Sequence, residues 1–123
     1  MKRLLVTDDE DVLRMLIVDT LEDEGYEIDE ATDGEEALNM YEEQHYDLLI
    51  LDYMMPRMTG LEVLKKVREK PSNHTHQKIL MLTAKGQATD KQEMFENGAD
   101  SILIKPFSPL ELIDTVKNLI KVD

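Results

Sequence analysis

Short apolar runs recur along this chain, and each ends abruptly in a polar residue. Leu4-Leu5-Val6 runs into Thr7 and the acidic pair Asp8-Asp9, and Leu48-Leu49-Ile50-Leu51 into Asp52. Ile79-Leu80-Met81-Leu82 is followed by Thr83, and Ile102-Leu103-Ile104 by Lys105. Such runs, too short for helices and bounded by polar residues, read as buried strands. Tyr26-Glu-Ile-Asp-Glu30 alternates instead, which suits an edge strand with one solvated face. Strands are expected at 3–7, 26–30, 47–51, 78–82 and 101–105.

Helical spacing fills the intervals. Leu13, Leu16, Ile17 and Leu21 form the expected core stripe of a first helix, leaving Arg14, Met15, Val18, Asp19 and Glu22 outward. Leu112, Val116 and Leu119 do the same for a fifth. A fourth helix at 87–97 offers only Ala88, Met94 and Phe95 to a core, so it is expected to be weakly anchored. Asp33-Gly-Glu-Glu36, Thr59-Gly-Leu-Glu62 and Ser108-Pro-Leu-Glu111 read as capping boxes, the last with Pro109 at the first helical position. Gly25 and Gly98 stand where the first and fourth helices should stop. Pro71-Ser-Asn-His-Thr-His76 reads as a polar loop, with His74 and His76 as loop residues. Strands alternating with helices predict one α/β domain over 1–123 with a parallel sheet.

Composition narrows the class. Without cysteine there is no disulfide framework or thiol chemistry, which fits a cytoplasmic protein. Met1-Lys2-Arg3 precedes too few apolar residues for a signal-peptide core, and nothing resembles a membrane span. The net charge is −13, and it is concentrated in the first half: residues 1–60 carry 18 acidic and 4 basic side chains, against 9 and 10 in residues 61–123. That field disfavours direct contact with nucleic acid.

The strand ends carry the chemistry. In an open parallel sheet they share one crevice, where ligands bind. Asp8, Asp9 and Asp52 would converge there with the Thr83 hydroxyl and the Lys105 ammonium. Adjacent carboxylates repel unless a cation joins them, and Mg²⁺ prefers oxygen ligands. A carboxylate can also attack phosphorus, and phosphoryl transfer needs mainly positioning and charge neutralisation.

Val6-Thr-Asp-Asp-Glu10, Leu51-Asp-Tyr-Met-Met-Pro56, Met58-Thr-Gly60, Leu82-Thr-Ala-Lys-Gly86 and Gly98-Ala-Asp…Lys105-Pro-Phe107 together resemble the receiver domain of bacterial two-component response regulators. The resemblance implies a doubly wound, flavodoxin-like (βα)5 fold with strand order 2-1-3-4-5. It implies that Asp52 takes a phosphoryl group from a histidine kinase or histidine phosphotransfer protein, as a phosphoacceptor with self-dephosphorylation rather than a turnover enzyme. Mg²⁺ would be held by Asp9 directly, Asp8 more often through water, Asp52, and the Met54 backbone carbonyl. Thr83 and Lys105 would bond the phosphoryl oxygens, and the Lys105-Pro106 peptide would be cis. The kinase would dock on the first helix. A downstream protein would dock on the face of the fourth helix, fifth strand and fifth helix, with Leu110 and Ile113 extending it. Family members often carry an aromatic residue three positions before the Lys. Here it is Ile102, which has no ring to swing, so output would run through Thr83 and the fourth helix.

Three other readings compete. A haloacid-dehalogenase-type phosphatase also uses an Asp nucleophile, but carries a second Asp two positions later, where this chain has Met54. A non-phosphorylated interaction module would not need the full set of Asp8, Asp9, Asp52, Thr83 and Lys105. A flavodoxin-like cofactor binder would need a Gly-rich phosphate loop after the first strand, and there is none.

Overall fold

The structure is a computed structural model that describes residues 1–69, 77–84 and 88–121. The stretch 71–76 with His74 and His76, the residues Lys85 and Gly86, and the side chain of Ala88 lie outside the described residues.

Strands and helices alternate in the order β1 (Arg3–Thr7), α1 (Asp11–Glu22), β2 (Glu27–Ala31), α2 (Gly34–Glu43), β3 (Leu48–Asp52), α3 (Gly60–Glu69), β4 (Lys78–Thr83), α4 (Ala88–Glu96), β5 (Ser101–Ile104) and α5 (Pro109–Leu119). All strand pairs are parallel, and the order is β2-β1-β3-β4-β5. This is the doubly wound arrangement expected. Strand ends differ from expectation by about a residue: β2, β3 and β4 extend to Ala31, Asp52 and Thr83, and β5 ends at Ile104.

Period-two alternation divides the core. Leu5, Leu49, Leu51, Ile79 and Met81 point to one side, against Ala37 of α2, Val63, Leu64 and Val67 of α3, and Met94 of α4. Leu4, Val6, Leu48, Ile50, Leu80 and Leu82 point to the other, against Ile17, Val18 and Leu21 of α1 and Leu112 and Val116 of α5. A continuously apolar strand supplies both sides at once, as a sheet covered on both faces requires.

The α1 face departs from the expected stripe. Val18 is buried, whereas Leu16 is 53% exposed. At about 100° per residue, Leu21 falls between Ile17 and Val18, while Leu16 lies roughly 140° from Leu21. The helix is rolled because it packs against α5 as well as the sheet, so Val18 turns inward and Val12, Met15 and Leu16 face out together. Arg14 is not outward either. Its guanidinium bonds the Asp8 carbonyl at 2.7 Å, Asp11 at 2.8 Å and Glu30 at 3.1 Å.

Two of the three expected capping boxes are reciprocal, Thr59 with Glu62 and Ser108 with Glu111. At α2 the Asp33 carboxylate accepts the Glu36 N–H, but the Glu36 carboxylate takes the N–H of Thr32 instead of Asp33. Gly25 and Gly98 close α1 and α4 at φ 95° and 108°, in the left-handed region where glycine is least strained.

Helix α4 is tied at one end. Met94 is fully buried, but Phe95, expected in the core, is half exposed because it falls on the adjacent outer face. After Gly98, Arg68 of α3 donates to the Gly98 carbonyl from two nitrogens, at 3.1 and 2.6 Å, and to Asp100 at 3.1 Å. The Asp100 carboxylate accepts the Ile79 N–H. The guanidinium occupies the space that a Cβ on residue 98 would need.

Candidate functional site

The carboxyl ends of β1, β3, β4 and β5 bring together the side chains that follow the apolar runs. Lys105 places its ammonium 2.9 Å from the Asp52 carboxylate, 3.7 Å from Asp8 and 3.9 Å from Glu10. Asp8, Asp52 and Thr83 are all buried. The Lys105 N–H donates to the Thr83 carbonyl at 2.8 Å, which fixes the start of the β5–α5 connection against the end of β4. The Lys105-Pro106 peptide is cis, as expected.

Each acid is held differently. The Asp8 Oδ1 accepts the Glu10 N–H at 2.9 Å, while Arg14 holds the Asp8 carbonyl. The Asp8 Oδ2 is buried without a hydrogen-bond partner. Asp9 is exposed and lies outside the tight cluster. The Met54 N–H favours the charged form of Asp52, while the Met54 side chain is exposed. Glu10, not singled out from sequence, joins instead: single carboxylate oxygens of Asp8, Glu10 and Asp52 lie within 4.8 Å of one another. Its signal was its place directly after the acidic pair.

The electrostatics follow from burial. Desolvation pushes the Asp8 carboxyl up to about 6, against the Glu10 N–H and Lys105, and with the repulsion of Asp52 and Glu10. Burial also raises Asp52, opposed by the Lys105 ammonium and the Met54 N–H and reinforced by the Asp9 charge. Burial would lower Lys105, but its bond to Asp52 and the charges of Asp52, Asp8 and Glu10 outweigh that and raise it. One ammonium thus stands among more carboxylates than it can neutralise. An orphaned buried oxygen and hard oxygen donors of this kind fit a divalent cation.

Backbone approach shapes the floor. Gly60 at the start of α3 lies against the backbone of Asp52, and its N–H bonds the Tyr53 carbonyl at 3.0 Å. Neither Gly60 nor Arg14 was assigned this role from sequence.

Residues 4–117 match the family model of the response regulator receiver domain. The chain is a response regulator receiver domain. The receiver domain is 45% identical over 118 residues to the transcriptional regulatory protein SrrA of Staphylococcus aureus, covering 96% of this chain and 47% of that protein. It spans about half the length of the curated relatives it matches. The chemotaxis protein CheY4 of Vibrio cholerae, crystallised at low pH, superposes with a TM-score of 0.91 at 39% identity, over 98% of this chain and 99% of that one. The response regulator TrrA of Thermotoga maritima, solved in complex with Mg²⁺-BeF, gives 0.85 at 42% identity, over 98% and 100%. Among the described residues, no helix of this receiver domain is long and apolar enough to cross a membrane.

Proposed function

We propose that this receiver domain accepts a phosphoryl group on Asp52 from a histidine kinase or histidine phosphotransfer protein. The observation that carries this reading is the Lys105 ammonium 2.9 Å from a buried Asp52 carboxylate, with Asp8 beside both. An Asp52 oxygen attacks phosphorus, and the bond from phosphorus to the donor's imidazole nitrogen breaks, leaving a mixed anhydride on the domain. Lys105 leaves the attacked carboxylate for a phosphoryl oxygen, so the charge it neutralised on Asp52 is replaced by charge on the phosphoryl group. The Thr83 hydroxyl donates to another phosphoryl oxygen. Mg²⁺, when bound, supplies the remaining charge neutralisation. Asp9, Asp8, Asp52 and the Met54 carbonyl would hold it. Hydrolysis of the anhydride on the domain itself resets the signal.

The kinase docks on the exposed apolar positions of α1. Output leaves through α4, β5 and α5, where Ile102 is packing and not a moving reporter; it lies partly buried against the cluster that holds Met81 and Met94. The half-exposed Phe95 and exposed Leu110 offer that face apolar contact.

Intact mass after exposure to phosphoramidate tests the central step. Wild type with Mg²⁺ gains one phosphoryl adduct, Asp52→Asn gains none, and EDTA suppresses the adduct. Equal labelling of Asp52→Asn would place the acceptor elsewhere and end this reading.

A further inference from the structure

The residue at the start of α1 is unusual for its position. Helix N-caps favour Ser, Thr, Asp and Asn, whose short side chains reach back to the helix N–H groups. Here the N-cap is Glu10, and its side chain makes no cap bond. Its backbone is nonetheless pinned at the crevice edge. Its N–H donates to Asp8 Oδ1 at 2.9 Å, and its carbonyl accepts the Arg14 N–H at 2.9 Å. The carboxylate is directed inward, 3.9 Å from the Lys105 ammonium and within 4.8 Å of Asp8 and Asp52 oxygens.

A second, independent feature points to a ligand at the same place. Asp8 is completely buried, and its Oδ2 accepts no hydrogen bond, the Lys105 ammonium standing 3.7 Å from it and too far to donate one. That oxygen is on the carboxylate that Glu10 and Asp52 face. In an octahedral shell with metal–oxygen distances of about 2.0–2.1 Å, ligand oxygens stand about 3.0 Å apart when adjacent and about 4.2 Å when opposite. The three carboxylates need close by less than an ångström or two to share one ion. Glu10, at the rim with 66% of its side chain exposed, has the rotatable bonds to do it.

We propose that Glu10 is a carboxylate ligand of the divalent-cation site, added to the acidic pair and Asp52. This rests on the cation site of the receiver reading and extends it to a residue that reading does not use. The crevice then holds four carboxylates against one ammonium. The added acid strengthens cation binding before any phosphoryl group arrives. Acidic side chains at a helix start also favour the helix dipole, but that role acts on stability and not on metal affinity.

Isothermal titration of the unphosphorylated protein with MgCl₂ separates these roles, run at low salt and in about 1 M KCl, where the screening length falls to about 3 Å. Glu10→Gln weakens Mg²⁺ binding about tenfold at both salt concentrations, while its melting midpoint in EDTA does not fall. An unchanged Mg²⁺ affinity overturns the proposal, and so does a loss that vanishes in high salt, since that is a field effect and not ligation. If wild type binds Mg²⁺ and labels Asp52 while Glu10→Gln binds equally well, only this assignment fails. If wild type itself binds no Mg²⁺, the cation reading fails with it.

Discussion

Gly60 presses its bare Cα against the carbonyl of Asp52, leaving no room for even a methyl group between α3 and the end of β3. The proposed acceptor carboxylate therefore owes its position partly to a missing side chain on another element. Gly60→Ala forces the start of α3 away from β3 and is expected to cost about 1–3 kcal/mol of stability. Urea unfolding measures the loss, and phosphoramidate labelling at a temperature where the variant is folded measures displacement of Asp52. Wild-type values for both would show that the loop yields without strain.

Asp8 should destabilise the metal-free fold at neutral pH. Its folded-state value is about 6 against 3.8 for an open carboxyl, so the folded protein holds this proton more tightly than the unfolded chain. The ionised form carries the cost, which is fully present above about 6 and is relieved as pH falls toward 3.8. In EDTA, Asp8→Asn is expected to gain about 1–3 kcal/mol at neutral pH and to flatten the rise in stability on mild acidification. A destabilised Asp8→Asn would mean that its ion pair with Lys105 outweighs desolvation.

On α1 the outer face is Val12, Met15 and Leu16. Leu16→Asp is expected to slow phosphotransfer from the kinase about tenfold or more, the loss expected of a docking hot spot, while phosphoramidate labelling is unchanged. Val18→Asp, which places a carboxylate in the core, should instead lower the melting midpoint and impair both reactions. Equal rates of transfer to wild type and Leu16→Asp would move docking off this face.

Arg68 fixes the end of α4. Arg68→Ala strips the Gly98 carbonyl and Asp100 of charge-assisted bonds, an expected loss of about 2–3 kcal/mol. Arg68→Lys should recover little of it, because an ammonium cannot form the fork that spans both acceptors. Amide exchange should quicken at Gly98–Asp100 and Ile79 ahead of the rest of the sheet. Uniform acceleration across the fold would indicate that the clip has no local role.

The proposed output route rests on Thr83. With a beryllofluoride phosphate mimic, amide shifts are expected at Asp52–Met55, along α4 and in β5. Thr83→Ala should remove those in α4 while the mimic still binds, and Ile102→Val should leave them nearly intact. Persistence of the α4 shifts in Thr83→Ala would break this coupling route.

The architecture was legible because four apolar runs carry their polar residues at the carboxyl end and those of β1, β3 and β4 are covered on both faces. Asp8, Asp52, Thr83 and Lys105 could be placed in one crevice from that pattern alone. The roll of α1 was not legible, because Leu16 and Val18 are equally apolar and only contact with α5 decides between them. Nor were the parts that depend on backbone approach or long reach. Gly60 and Gly98 show in sequence as punctuation, while the carbonyl and the guanidinium they admit come from distant segments. Glu10 went unread because an acid after two acids looks like solvated charge until the crevice is assembled.

The sheet separates two sets of buried side chains, one shared with α1 and α5 and the other with α2, α3 and α4. The surface proposed for an upstream partner on α1 and the seat of α4 therefore have no packing residue in common. Each can drift in sequence without forcing a matching change in the other. A lineage could exchange its kinase by altering Val12, Met15 and Leu16 and keep its downstream partner, or do the reverse, so long as the residues at the strand ends stayed in place. For rewiring, whether by evolution or at the bench, the sheet insulates α1 from α4, while α5, packed beside α1 in the same cluster, is where a change on one side can reach the other.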